Sequence, residues 1–334
     1  MTQAHGLTIV GQPAQRVESL EKVTGSALYV ADIPASGALA GKILRSPYPH
    51  ARILRIDTSK AEAVPGVWAV VTAEDTLKRG WGAFVQDQMA LATDKVRYVG
   101  DEVAAVAAVN EETARAAIDL IEVDYEELPA VFDTQSAMAE GAPRIHDQYE
   151  HNTVITIDVE RGDVEKAFAA SDVIVEDTFE SQHQWHAPLE TIGSVAEYSP
   201  SGKYTIHMNT QTLFMARGRI AWVLGVSEAD VRVIQTEVGG GFGGKSCDDN
   251  NAIIAALLAR KSRRSVRIIN TREEEFMAGS RPRVPMRVWV KIGFSRDGRI
   301  RAKQMRIVAD NGAYSGKAPA IMGVSAFRHR ARRA

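Results

Sequence analysis

Short apolar runs alternate with a helical stretch between residues 27 and 133. The apolar runs predict five strands, at residues 41–45, 53–57, 67–72, 103–109 and 121–124. Residues 111–120 predict a helix, because alanines follow two early glutamates that complement the helix dipole, and Asn110 stands where an N-cap belongs. This alternation is typical of an α/β or α+β unit, and Pro129 marks its end.

A polar stretch at residues 134–152 separates this unit from the rest of the chain. It contains Pro143 and has no strong period, so we expect a division into residues 1–133, a linker at 134–152 and a second domain at 153–334. The second domain alternates predicted strands with predicted helices, so the predicted fold class is α+β. The strands are expected at residues 173–184, 193–198, 203–208, 231–236 and 266–269, and the helices at 163–170, 212–225 and 249–261. A hairpin follows, since Asp297 and Gly298 stand between apolar runs at 287–294 and 299–309.

Composition narrows the classes of function. The chain has 334 residues, of which 45% are hydrophobic, so it can bury two or three cores. Its formal net charge of −2 gives no overall field toward nucleic acid or an anionic membrane. A single cysteine, Cys247, excludes a disulfide framework and a cysteine-rich metal site. The first residues lack the pattern of a signal peptide, and no apolar run reaches the roughly 18–20 residues that cross a bilayer. We therefore expect a cytoplasmic protein with no nucleic-acid or membrane partner.

The most distinctive local feature is the glycine cluster at residues 238–246 (VGGGFGGKS), between a predicted strand and a predicted helix. Glycines admit positive φ and a close approach of the backbone to a ligand, so the cluster predicts a nest of N–H groups for an anion or a cofactor. A plain glycine-rich turn is the alternative without function. Residues 239–246 also fit the pattern G-x-x-x-x-G-K-[ST] of P-loop nucleotide-binding proteins, although Asp248 and Asp249 would meet the phosphates with negative charge.

Two polar motifs precede the glycine cluster. His183, His186 and Glu190 have the composition of a metal site, but histidines three apart on a predicted strand face opposite sides. We therefore expect His186 and Glu190 to hydrogen-bond a turn after Pro188. Residues 209–212 (NTQT) stand between a predicted strand and a predicted helix, and capping of that helix is their expected role, with reach into a cleft as the alternative.

Together these segments resemble the molybdenum-binding large subunit of the xanthine dehydrogenase, aldehyde oxidase and carbon monoxide dehydrogenase family, in order along nearly the whole chain. The stretches similar to that family's hammerhead domain are residues 22–32, 45–51 (RSPYPHA), 99–104 (VGDEVA) and 123–129 (VDYEELP). Residues 186–190 (HAPLE), 209–211 (NTQ) and 238–245 (VGGGFGGK) are similar to its H-x-x-[ML]-E element, its T-Q element and its glycine loop beside the pterin. The resemblance implies a hammerhead-type α/β domain followed by the first part of a mixed α/β molybdopterin-binding domain, and it displaces the P-loop hypothesis.

The resemblance also implies a cofactor and partners. The cofactor is molybdenum–molybdopterin, in bacteria usually as the cytosine dinucleotide, and Ser246 lies near the substrate. The residues that the resemblance places against the cofactor are Gln211, Gly240, Gly241, Phe242, Gly243 and Gly244, and none of them ligates the metal directly. The family oxidatively hydroxylates aldehydes, N-heterocycles and related small molecules. Its electrons pass to a [2Fe–2S] small subunit and an FAD-binding medium subunit.

Departures from the family's pattern bear on substrate and activity. Ser246 stands where purine-oxidising members carry a glutamate, and Val324 stands where they carry an arginine, so xanthine is not the expected substrate. Family large subunits are more than twice as long, and their general-base glutamate is expected beyond Ala334. The resemblance thus implies a C-terminally truncated chain that by itself neither retains cofactor nor turns over substrate. A non-catalytic remnant is the alternative, and the arginine-rich residues 328–334 fit either a truncation or a basic tail.

Overall fold

The computed structural model describes residues 8–246, 249–278, 282–316, 318–319 and 322–323. The strands are β1 (Leu39–Arg45), β2 (Ala51–Asp57), β3 (Val67–Thr72), β4 (Lys95–Val96), β5 (Glu102–Ala108), β6 (Glu122–Glu127), β7 (Val173–Ser181), β8 (Gly193–Tyr198), β9 (Tyr204–Met208), β10 (Val231–Gln235), β11 (Val266–Ile269), β12 (Met286–Phe294) and β13 (Ile300–Ala309). The helices are α1 (Ser19–Thr24), α2 (Ser59–Glu62), α3 (Glu111–Ile118), α4 (Thr134–Met138), α5 (Val164–Ala169), α6 (Leu213–Leu224), α7 (Asn250–Ser262) and α8 (Arg272–Ala278). Cys247, Asp248, Val324 and residues 328–334, on which some sequence-based expectations depend, lie outside the described residues.

A seven-stranded sheet contains strands from both halves of the chain, in the order β10-β9-β8-β11-β1-β5-β3. The two halves meet where β11 pairs in parallel with β1, with Leu39 opposite Val266. Two three-stranded sheets flank it, in the orders β13-β12-β7 and β4-β2-β6. The domain division within residues 134–152 stays a prediction. Backbone hydrogen bonds of the seven-stranded sheet join strands that lie before this segment to strands that lie after it.

Strand β5, which lies between β1 and the edge strand β3, is buried on both faces of the large sheet. All its residues are buried, and an almost continuous apolar run is typical of a strand that is covered on both sides. Ala105 and Ala107 belong to the core that contains α7, whereas Ala104 and Val106 belong to the core that contains α3. Alternate residues of one strand thus serve two cores, and small alanines at these positions let both helices approach the sheet.

The mixed α/β architecture confirms the predicted fold class, and most predicted elements are present. Asn110 caps α3 as predicted, because its Oδ1 accepts a hydrogen bond from the N–H of Thr113 at 2.8 Å. The predicted hairpin is also present: β12 and β13 pair in antiparallel, and Gly298 in the turn has a φ of 84°.

Two local predictions are wrong. The strand predicted at residues 173–184 ends at Ser181, because its partner β12 begins opposite, at Met286. The predicted linker contains helix α4, where the polar sequence indicated no element. The cause of α4 is a local cap: Asp133 accepts a hydrogen bond from the N–H of Ser136 at 2.8 Å.

The longest described helix, α7, has 13 residues. None of the helices in the described ranges combines the length and the apolar character that crossing a membrane requires.

Candidate functional site

Residues 239–246 lie between β10 and α7 along the chain, and we call them the glycine loop. Its backbone has positive φ at Gly240 (93°), Phe242 (51°) and Gly243 (92°). The N–H of Gly244 donates to the carbonyl of Gly241 at 2.6 Å and closes the turn. Glycine takes positive φ without steric cost, whereas a phenylalanine there is strained, so the conformation is held by its surroundings.

Three adjacent backbone donors of the glycine loop are candidates for binding a ligand. Within the described residues, the N–H groups of Gly240, Gly241 and Phe242 have no hydrogen-bond acceptor. Phe242 is 72% exposed and Gly240 is half-buried, whereas Gly241 is buried, so only the two outer positions reach the surface. N–H groups without such acceptors, in a loop with positive φ at Gly240 and Phe242, form an electropositive nest that suits anionic or strongly electronegative atoms.

Gln211 lies directly against the glycine loop. Its backbone N–H donates to the carbonyl of Lys245 at 2.8 Å, and its side-chain Oε1 accepts from the N–H of Gly243 at 3.1 Å. Because Oε1 is used in this way, the amide nitrogen Nε2 remains a donor, with no acceptor among the described residues. A Cβ at position 241 would lie 2.6 Å from the Gln211 Cδ, so this contact requires Gly241.

The expected capping role of residues 209–212 is wrong. Thr212 occupies the N-cap position of α6 but makes no side-chain cap hydrogen bond. Its hydroxyl donates instead to the carbonyl of Ser246 at 2.7 Å, and the Ser246 hydroxyl donates to the carbonyl of Gly243 at 2.8 Å. The motif therefore fastens the glycine loop rather than the helix.

Lys245 points inward, which removes support from the P-loop hypothesis. Its Nζ lies 2.8 Å from the Glu190 Oε2, and only 1% of its side chain is exposed. Burial lowers the pKa of Lys245, and the hydrogen bond to Glu190 opposes that effect. A P-loop lysine must reach bound phosphates, whereas this ammonium group is already neutralised inside the protein.

Glu190 does not hydrogen-bond a turn after Pro188, so the expectation is wrong for this residue. Its carboxylate instead accepts hydrogen bonds from the Gly239 N–H and the Lys245 ammonium group, both in the glycine loop. His183 and His186 follow the end of β7 rather than lying on a strand. The described residues contain no group of three or more histidine, cysteine, aspartate or glutamate side chains that could hold a metal ion.

An ion pair that the sequence did not indicate joins the two helices beside the loop. Arg219 of α6 donates through Nε to the carboxylate of Asp249, which immediately precedes α7. The exposed fractions of the two side chains are 11% and 1%, so the pair is buried. The sequence pattern placed Asp249 only at a helix start, and its partner lies 30 residues away, so no local signal could have revealed it.

The structure thus brings together the residues that the sequence singled out around the glycine cluster. Gln211 and Ser246 both hydrogen-bond to Gly243, which lies within the turn closed by the hydrogen bond from Gly244 to Gly241. Their role in holding a cofactor stays a prediction. Val324, the position compared with a substrate-binding arginine, lies outside the described residues.

Comparison with known proteins places the same segments in a described family. The model of the molybdopterin cofactor-binding domain matches residues 145–331, and that of the aldehyde oxidase and xanthine dehydrogenase a/b hammerhead domain matches residues 24–129. The chain is 41% identical over 95% of its length to a probable xanthine dehydrogenase subunit of Bacillus subtilis, of which it spans 42%. It is 36% identical over 94% of its length to the nicotinate dehydrogenase large molybdopterin subunit of Eubacterium barkeri, of which it spans 73%.

A solved structure agrees with these relatives. Quinoline 2-oxidoreductase from Pseudomonas putida 86 superposes with a TM-score of 0.83 at 34% sequence identity, covering 91% of this chain and 40% of that chain. The chain therefore spans less than half the length of two of these three proteins.

Proposed function

Because the chain belongs to the family of molybdenum-binding large subunits of xanthine dehydrogenases and aldehyde oxidases, we propose that its glycine loop and Gln211 hold a molybdenum–molybdopterin cofactor. The cofactor supplies, when bound, the oxidative hydroxylation of a small molecule. The observation that supports the proposal is the set of three adjacent N–H groups, at Gly240, Gly241 and Phe242, that have no acceptor in the part of the chain that the structure describes.

The residues of the loop fit such a group chemically. Backbone N–H groups and the Gln211 amide donate hydrogen bonds without carrying charge, which suits the oxygen and sulfur atoms around a molybdenum centre. Gly241 lets the Gln211 amide lie directly against the loop, because a Cβ there would be 2.6 Å from the Gln211 Cδ. The contacts of Gln211 and Ser246 with Gly243 keep the loop in one shape before a ligand arrives.

The described carboxylate nearest the base of the loop does not suit general-base catalysis. Glu190 is bound to the Lys245 ammonium group and accepts two backbone hydrogen bonds, from Gly239 and Val30. Both oxygens of this carboxylate are thus occupied by the protein's own donors. The general base is therefore proposed to be a glutamate outside these 334 residues, as in the family resemblance.

The finer points of the proposal concern cofactor form, substrate and partners. We assign the cytosine dinucleotide form of the cofactor, and a [2Fe–2S] small subunit and an FAD-binding medium subunit as electron acceptors. The substrate is an aldehyde, an N-heterocycle or a related small molecule, with Ser246 near it. Xanthine is excluded from the proposal, because a serine at this position does not supply the carboxylate that would pair with a purine edge. The location proposed is the cytoplasm.

The test uses the protein made from its native locus with an affinity tag at its N-terminus. We expect about one molybdenum per chain by elemental analysis, cytidine monophosphate after acid hydrolysis, and co-purification of iron–sulfur and FAD subunits. The 334-residue chain expressed alone is expected to carry none of these. A tagged native protein without molybdenum would refute the proposal.

A further inference from the structure

The carboxylate of Glu190 contacts two separate segments of the chain, the glycine loop at two points and the backbone at Val30. Its Oε2 accepts hydrogen bonds from the N–H of Gly239 and from the Lys245 ammonium group, both at 2.8 Å. Its Oε1 accepts from the N–H of Val30 at 3.2 Å. In addition, the Glu190 backbone N–H donates to the carbonyl of Gly239 at 3.1 Å. Gly239 and Lys245 lie at the two ends of the glycine loop, so one side chain holds both ends.

We infer that Glu190 is the positioning residue of the glycine loop, and that its ion pair with Lys245 fixes the direction in which the loop presents its free N–H groups. The inference rests on the proposed function, because it assigns a role in holding the cofactor to a residue that does not touch it. Gln211 holds the middle of the loop through Gly243, and Glu190 holds its base.

The energetic argument depends on burial. The Lys245 side chain is 1% exposed and the Glu190 side chain is 13% exposed, so neither charge is solvated. A buried ammonium group that loses its partner is strongly destabilised, since its desolvation is no longer offset. The nearby carboxylate of Glu275 binds the backbone N–H of Ile192 at 2.8 Å through Oε2, and its buried Oε1 has no hydrogen-bond partner among the described residues. Without Glu190, Lys245 would therefore have to turn toward this oxygen or toward water, and either movement displaces the end of the loop.

The backbone at the other end of the loop is shaped to this carboxylate. A Cβ at position 239 would lie 2.5 Å from the Cβ of Glu190. That atom is fixed to the backbone of residue 190 and cannot rotate away, so only glycine permits the contact. The glycine at position 239 is thus explained by Glu190, whereas those at 240 and 243 are explained by positive φ.

Hydrogen–deuterium exchange of the 334-residue chain without cofactor tests the inference directly. In Glu190→Gln the amide oxygen can still accept from Gly239, but Lys245 loses its counter-charge. We expect exchange of the peptide covering residues 237–246 to rise on the order of tenfold or more, with α6 unchanged. In the double variant Glu190→Gln/Lys245→Met the unpaired charge is gone, so the rate is expected to return close to the wild-type value.

The control is Glu74→Gln, which breaks an exposed ion pair of similar length, 2.7 Å to Lys78, and should leave the exchange of the glycine loop unchanged. Equal exchange in wild type and Glu190→Gln would overturn the inference, and so would a double variant that exchanges as fast as the single one. If Glu190→Gln does not fold, the double variant decides, because it must fold with a protected loop.

Molybdenum content separates this inference from the proposed function. In protein from the native locus, Glu190→Gln is expected to lower the molybdenum content about tenfold, and the double variant to restore most of it. Absence of molybdenum in the wild type would refute the function and leave the exchange result standing. Molybdenum in the wild type together with unchanged exchange in Glu190→Gln would refute the positioning role alone.

Discussion

A buried carboxyl group at Asp101 makes the protein's stability depend on pH in an unusual direction. Its Oδ2 accepts a hydrogen bond from the N–H of Arg97 at 2.9 Å and another from the Tyr314 hydroxyl at 2.9 Å, and the residue is 3% exposed. Burial, followed by repulsion from the neighbouring Glu102, raises the pKa of Asp101 from 3.8 to about 7. These contacts join the residue before β5, in the first half of the chain, to residue 314, near the end of the described part.

The magnitude follows from the difference between folded and unfolded pKa values. Because the pKa of Asp101 is higher in the folded state, the folded protein binds this proton more tightly than the unfolded chain between about pH 4 and pH 7. The stabilisation from protonation is complete below about pH 4 and is lost as the pH rises through 7. A rise from 3.8 to about 7 corresponds to about 4 kcal/mol in total, of which about 3 kcal/mol is lost between pH 5 and pH 8.

Asp101→Asn measures this effect, because asparagine is neutral at every pH and its amide can still accept from the N–H of Arg97. Urea unfolding of both proteins at pH 5, 6, 7 and 8 gives the free energy of unfolding at each pH. Relative to wild type, the variant is expected to gain about 3 kcal/mol between pH 5 and pH 8. Contributions from carboxyl groups that do not interact with Asp101 cancel in this difference. A difference in unfolding free energy that is the same at all four pH values would refute the reasoning.

Three further predictions concern single contacts. Gly241→Ala is expected to push the Gln211 amide aside, since its Cβ would lie 2.6 Å from Cδ, and to lower the molybdenum content of native-locus protein severalfold while the unfolding free energy falls by only about 1 kcal/mol. Asn110→Ala removes the cap of α3 and is expected to cost about 1 kcal/mol in urea unfolding. Arg219→Met leaves the buried Asp249 carboxylate without its guanidinium partner and is expected to cost about 3–5 kcal/mol in the same assay.

Each of these predictions has an outcome that contradicts it. Full molybdenum content in Gly241→Ala would show that the contact with Gln211 is not needed. An unfolding free energy unchanged by Asn110→Ser and by Asn110→Ala alike would show that the cap contributes nothing, since serine preserves an acceptor there. A cost of less than about 1 kcal/mol for Arg219→Met, the range of an exposed ion pair, would show that water reaches the carboxylate of Asp249.

The elements that the sequence predicted well are those whose signal is local. The strands at residues 67–72, 193–198 and 266–269 have the predicted ends, because each is a short apolar run bounded by polar or turn residues. The parallel pairing of β1 with β11 has no such signal, because its partners lie more than two hundred residues apart. Strand order in the sheet depends on pairings of this kind, so the apolar pattern could predict strands but not their neighbours.

The same difference between local signals and contacts of distant residues applies to the candidate site. The glycine content of residues 239–244 predicted a backbone nest, and the family resemblance added Gln211. The direction of the Lys245 side chain could not be predicted, since its carboxylate partner is 55 residues away. The capping role of Thr212 was wrong for a related reason, because a hydroxyl beside a helix start also reaches the carbonyl of Ser246, which only the folded chain brings near.

Ordering the glycine loop costs conformational entropy, and this cost explains why side chains from other segments hydrogen-bond to it. Glycine loses more conformational freedom on folding than any other residue, so a run with five glycines in six positions would be loosely ordered without outside contacts. Gln211, Glu190 and Thr212 come from other segments, and each hydrogen-bonds to a backbone or side-chain group of residues 239–246. Most of the loop's conformational entropy is therefore lost during folding rather than when a ligand binds. A loop that is already ordered favours tight binding of a ligand. Under the proposed function, the residues that matter for cofactor binding include those that touch only the loop, and their substitution is expected to weaken cofactor retention without removing a direct contact.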